Sequence, residues 1–72
     1  MTNATEFEVA MVRKKLNYKM ICAELDMSYQ TLYNKVHNIS EFKVSELDKL
    51  YKILGLDTLA EQQRVFFNKK SE

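Results

Sequence analysis

The stretch Asn17-Tyr18-Lys19-Met20-Ile21-Cys22-Ala23-Glu24-Leu25-Asp26-Met27-Ser28-Tyr29-Gln30-Thr31-Leu32-Tyr33-Asn34-Lys35-Val36 decides the fold. Asn17 and Ser28 each carry a side-chain oxygen that can satisfy an orphan amide at a helix start, so each opens a segment. In the first, Tyr18 to about Leu25, the three- and four-residue spacing of Ile21, Cys22 and Leu25 marks the inward face. In the second, Tyr29 to about Val36 or His37, Leu32 and Val36 form the one clear apolar pair. Two short helices joined through Asp26-Met27-Ser28, the second with a thin core stripe, describe a helix-turn-helix. Cys22 is small enough for the helices to approach, and Met27 plugs the space between them. Tyr29, Gln30, Tyr33 and Asn34 are left on one outward stripe, able to enter a groove together.

Caps and apolar spacing mark further helices on both sides of this stretch. Upstream, Thr5 with Glu8 reads as a capping box opening a helix to about Leu16, with Phe7, Met11, Val12 and Leu16 inward and Arg13, Lys14 and Lys15 at its negative end. Downstream, residues 37–44 break the helical period and read as a loop anchored by Phe42 and Val44. Ser45 with Asp48 reads as a second capping box. Leu47, Leu50, Tyr51 and Leu54 follow at i, i+3, i+4 and i+7, and Gly55 ends that helix. Thr58 with Glu61 opens a short last helix to about Arg64. Val65-Phe66-Phe67 then closes the core in preference to forming a dimer patch, and residues 68–72 are a polar tail in which Lys69 and Lys70 are solvated. Met11, Met20 and Met27 fit as core filler.

Composition bounds the function. The 72 residues are 46% hydrophobic and 29% charged, enough for one domain and one core. No proline, one glycine and one cysteine exclude disulfide scaffolds and linker-like chains, and Cys22 alone fits a reducing compartment and core packing. The single His37 has no second histidine or glycine-rich loop to work with, which argues against an enzyme and against a metal site, so no cofactor is expected. The longest apolar run, Val9-Ala10-Met11-Val12, is too short for a membrane, and the start lacks signal-peptide character, so a soluble cytoplasmic protein is expected. Net charge is only +1, but it is uneven: residues 13–43 carry six basic and three acidic side chains, and the remainder is net acidic. So modest a basic surface gives weak DNA binding unless a dimer or a second protein assists.

From Lys15 to Val36, with Phe42 to Leu56 as a further helix, the chain resembles the small helix-turn-helix domains of phage repressors and Cro-like regulators. Within that family it is most similar to the Cro or modulator-of-repression proteins of temperate phages of Gram-positive bacteria. The resemblance covers essentially the whole chain, 1–72, with the helix-turn-helix at 17–37. It implies an all-α bundle of about five short helices of the lambda-repressor type and a transcriptional regulator of a lysogeny–lysis switch in a bacterial host. The partners it implies are double-stranded operator DNA, the phage CI-type repressor, or both, and a homodimer is compatible with it. Two positions depart from the family pattern: Asp26 stands where glycine is usual, and Tyr18 where glutamine or a similar phosphate-contacting residue is usual.

On a DNA target, Gln30 and Asn34 suit bidentate contact with adenine, and Tyr29 and Tyr33 suit thymine methyls or phosphates. Tyr18 can donate to phosphate, with Lys19, Lys35 and Lys43 aimed at the backbone or at an acidic partner surface. The same stripe suits a protein partner, since tyrosine is enriched in interface hot spots and the face carries little charge. A modulator that masks a repressor's DNA-reading helix is therefore the alternative to direct DNA reading. An antitoxin-like regulator is a third reading, for which no toxin-binding segment is evident.

Overall fold

The computed structural model describes residues 1–66. These form five helices, α1 Ala4–Arg13, α2 Tyr18–Leu25, α3 Tyr29–Val36, α4 Val44–Ile53 and α5 Leu59–Val65. The described residues contain no strand, only an isolated antiparallel bridge between Thr2 and Phe66. Phe67, Lys69, Lys70 and the expected polar tail lie outside them. No described helix is long and apolar enough to cross a membrane.

Helices α2 and α3 begin where their caps require. Asn17 Oδ1 accepts from the Met20 amide at 2.9 Å and Ser28 Oγ from the Thr31 amide at 3.1 Å. The Thr58–Glu61 capping box at the start of α5 also forms. Two other expected starts are corrected. Helix α1 opens at Asn3, whose Oδ1 accepts from the Glu6 amide at 3.1 Å, and not at Thr5 with Glu8. Asn3 is held extended because its own amide donates to Val65 O at 2.7 Å beside the Thr2–Phe66 bridge, a long-range tie that local spacing does not reveal. Helix α4 opens at Lys43, not with the Ser45–Asp48 box, because Glu46 Oε1 accepts the Lys43 amide at 2.9 Å. That start leaves Val44, expected inside, 76% exposed.

Helices α1 to α4 finish alike, with one left-handed residue apiece: Lys15, Asp26, Asn38 and Gly55, at φ of 59°, 55°, 65° and 68°. The amide after each reaches back to a carbonyl of the last turn: Leu16 to Met11 at 2.8 Å, Met27 to Cys22 at 3.1 Å, Ile39 to Asn34 at 2.8 Å and Leu56 to Tyr51 at 2.8 Å. This backbone pattern absorbs the orphan carbonyls, so the chain turns sharply with one glycine. Asp26 adopts the left-handed turn expected at a glycine-like position. Lys15 does so too, which ends α1 at Arg13 instead of near Leu16. Val12, off the face formed by Phe7, Ala10 and Met11, is 71% exposed, a correction to its expected burial.

Helix α1 packs on α5, and α2 packs on both α3 and α4. Phe7 lies fully buried at the centre, its ring 6.1 Å from Phe66, 6.2 Å from Tyr18 and 6.5 Å from Phe42. Ile21, Leu25, Leu32, Val36, Leu50 and Leu54 complete the helix-facing core as their spacing requires. Met11 is buried and Met27 packs at the edge of the core, but Met20 is exposed because Met20 follows Lys19 onto the outer side of α2. Val65 and Phe66 are buried and close the core, as expected of these two residues.

The left-handed turns give a prediction of opposite signs. A side chain at φ near 60° costs about 1 kcal/mol relative to glycine. Lys15→Gly is expected to raise stability by about 0.5–1 kcal/mol. Gly55→Ala is expected to lower it by about 1 kcal/mol or more, with its new Cβ also placed 2.5 Å from Lys14 Cε. Urea unfolding checks both; two changes of the same sign would contradict the turn geometry.

Candidate functional site

Helix α3 is amphipathic in a way that fixes what it can offer. Leu32 and Val36 are fully buried and hold it on the core, so the opposite flank is committed to the outside. There Tyr29 is 61% and Tyr33 40% exposed, Gln30 is exposed and Asn34 is half-buried. Gln30 Nε2 donates to Asn34 Oδ1 at 2.9 Å, one turn along the helix. That bond aligns the two amides but uses one donor of Gln30 and one acceptor site of Asn34, leaving each with further hydrogen-bonding capacity for a target.

Tyr18 joins the flank from α2. Its ring centroid is 5.2 Å from that of Tyr29, while Tyr33 lies 4.2 Å from His37 at the end of α3. Tyr18, Tyr29 and Tyr33 line an open groove of about 490 Å³ together with Glu8 of α1, Asn17, Lys19 and His37. Burial, followed by the charge of Glu8 and the neighbouring Tyr29, Tyr33 and Cys22 groups, pushes the Tyr18 hydroxyl above its ordinary value. As a neutral phenol it is able to donate a hydrogen bond to a target. Burial raises the Cys22 thiol as well, in keeping with a packing role at the α2–α3 contact.

Lys35 requires the main correction. It was expected to point outward to phosphates or an acidic partner, but it is buried, and its Nζ lies 2.7 Å from Glu46 Oε1. The Phe42 ring centroid is 6.0 Å from the same ammonium. Position 35 is three residues after Leu32 and one before Val36, so its stem starts at the border of the apolar stripe and can lie along the core with its charge reaching α4. Glu46 is the matching residue, held from two sides by Lys35 Nζ and the Lys43 amide. Burial tends to raise the Glu46 carboxyl, but the hydrogen bonds and charges of Lys35 and Lys43 outweigh it and hold the group below its ordinary value.

The other expected lysines are exposed: Lys19 on the first turn of α2, lining the groove, and Lys43 at the N-cap of α4. The structure thus brings Tyr18, Lys19, Tyr29 and Tyr33 into one groove, places Gln30 and Asn34 on the same α3 flank, and withdraws Lys35. Sequence reasoning missed Glu8 as a groove residue, since its capping-box reading occupied it, and missed Glu46, whose partner is distant in sequence. A basic residue next to a core pair and an acidic residue in the first turn of the following helix were the available signals. No family model matches the chain, and no curated protein or solved structure matches it.

The Glu46 carboxyl sets a pH dependence. A carboxyl depressed by folding stabilises the native state fully above its unfolded value, and the contribution is lost as pH falls through the folded value. Glu46→Gln is therefore expected to be less stable than the wild type at neutral pH, with the gap narrowing below the ordinary value of 4.5. Urea titrations from pH 7 to about pH 3 read this; a gap independent of pH would contradict the pairing.

Proposed function

We propose that this chain is a transcriptional regulator of a phage lysogeny–lysis switch, working in the cytoplasm of the bacterial host through the exposed flank of α3. Its best-fitting target is the DNA-binding domain of the phage repressor. The observation that carries this reading is the Lys35–Glu46 pair, because it removes the one cation α3 possesses and leaves a flank of tyrosines and amides. Phosphate neutralisation supplies a large share of DNA affinity, and with Lys35 withdrawn α3 itself contributes none of it. Tyrosines that present a broad apolar body and a polar tip, with few rotamers to freeze, suit a protein surface. The order of helices, the caps and the resemblance to Cro-like and modulator-of-repression proteins support the regulatory setting.

Direct reading of operator DNA is the second reading, favoured by the aligned Gln30 and Asn34 amides and by exposed Lys19 and Lys43. The two separate in one pair of experiments. In the first reading the repressor of the same phage co-purifies with the chain, Tyr33→Ala weakens that association at least about tenfold, and selection from random-sequence duplexes at physiological salt enriches no motif with the chain alone. Enrichment of a defined motif by the chain alone, with a steep loss of affinity as salt rises, would overturn the first reading in favour of the second.

A further inference from the structure

The groove between α1, α2 and α3 adds a distinct chemistry to the α3 flank. We propose that it receives an arginine side chain of the partner protein, with the guanidinium against the tyrosine faces and Glu8 as its counter-ion. The inference rests on the reading of that flank as a protein-docking surface and names what the surface grips.

Three tyrosines and His37 line this site beside the apolar Met11 and Leu16. Tyr18 from α2 and Tyr29 from α3 lie with centroids 5.2 Å apart and planes inclined by 44°, so their faces are not sealed by parallel stacking on each other. Tyr33 and His37 extend the wall along α3. The negative faces of such rings attract cations, and a guanidinium is the cation that can also stack flat against them.

The charges in the groove favour the same occupant. Glu8 projects from α1 into the lining, close enough to Tyr18 for its charge to act on the phenol. Its carboxylate would repel a phosphate. Lys19 is the other formally charged residue in the lining; it is exposed and carried on a long flexible stem, which lets its ammonium move to open water. Lys35, which would otherwise add a fixed positive charge to α3, is committed to Glu46. The volume of about 490 Å³ admits one long side chain with part of its backbone. A DNA-reading surface is rich in arginine because arginine pairs with phosphates and with guanine edges, so such a surface is a ready source of the occupant.

The test uses the full chain labelled with ¹⁵N, titrated with acetyl-Ala-Ala-Arg-Ala-Ala-amide and with the same peptide carrying citrulline, which keeps the shape and lacks the charge. The expected result is a saturable shift of the Tyr18, Tyr29 and Tyr33 resonances with the arginine peptide and a much smaller one with citrulline. Glu8→Gln and Tyr29→Ala are each expected to weaken the arginine response about fivefold. Both positions are exposed, and an otherwise unchanged spectrum verifies that the fold is kept. Equal responses to the two peptides, no response, or shifts of these resonances by a short DNA duplex alone would overturn the arginine assignment. If that happens while Tyr33→Ala still breaks co-purification with the repressor, the arginine site falls and the docking reading stands; loss of both results removes both.

Discussion

The ion pair between Lys35 and Glu46 fixes how α3 is presented. Helix α3 packs mainly on α2, and its buried stripe is short, Leu32 and Val36. A salt bridge from the border of that stripe to the first turn of α4 adds a directional contact that sets the rotation of α3 about its axis. Apolar packing is tolerant of small rotations, whereas a 2.7 Å contact between two mostly buried charges is not. The rotation decides which residues face outward, and so the ion pair and the tyrosine–amide flank are one feature seen from two sides. Glu46 also accepts the Lys43 amide, so the start of α4 and the orientation of α3 depend on the same carboxylate.

Around that constraint the chain solves the problems of a small domain without disulfides. The aromatic cluster of Phe7, Phe42 and Phe66 brings the first helix, the α3–α4 turn and the end of α5 to one point. The N-terminus is secured at both sides, by the bridge from Thr2 to Phe66 and by Asn38, whose side chain accepts the Thr2 amide at 2.8 Å and donates to the Thr2 carbonyl at 2.9 Å. Asn38 therefore serves twice: its backbone takes the left-handed turn after α3, and its side chain holds the segment that leads into α1.

What the sequence made legible follows from the range of the forces involved. The helix-turn-helix, with its Asn17 and Ser28 caps, its Asp26 turn and its Ile21, Leu25, Leu32 and Val36 face, rests on interactions within a few residues, and these can be read from spacing alone. The exposed stripe of Tyr29, Gln30, Tyr33 and Asn34 follows as the complement of that face. Contacts between distant residues were not legible. Asn3 displaced Thr5 as the first cap because residues 65 and 66 hold it extended, and Lys43 with Glu46 displaced Ser45 with Asp48 because the Lys43 amide and the Lys35 ammonium converge on the Glu46 carboxylate. Lys35 looked like an outward cation because a long side chain at a stripe border can point either way, and only the position of Glu46 decides between them.

The Lys35 charge belongs to a buried ion pair and not to solvent. A double-mutant cycle with Lys35→Met, Glu46→Gln and the combined variant, read by urea unfolding at neutral pH, measures this most directly. A coupling of about 1–3 kcal/mol between the two positions is expected for a pair this well shielded. A coupling below about 0.5 kcal/mol, typical of charges that meet only at the surface, would mean that Lys35 is free to point outward and that α3 is not locked as described.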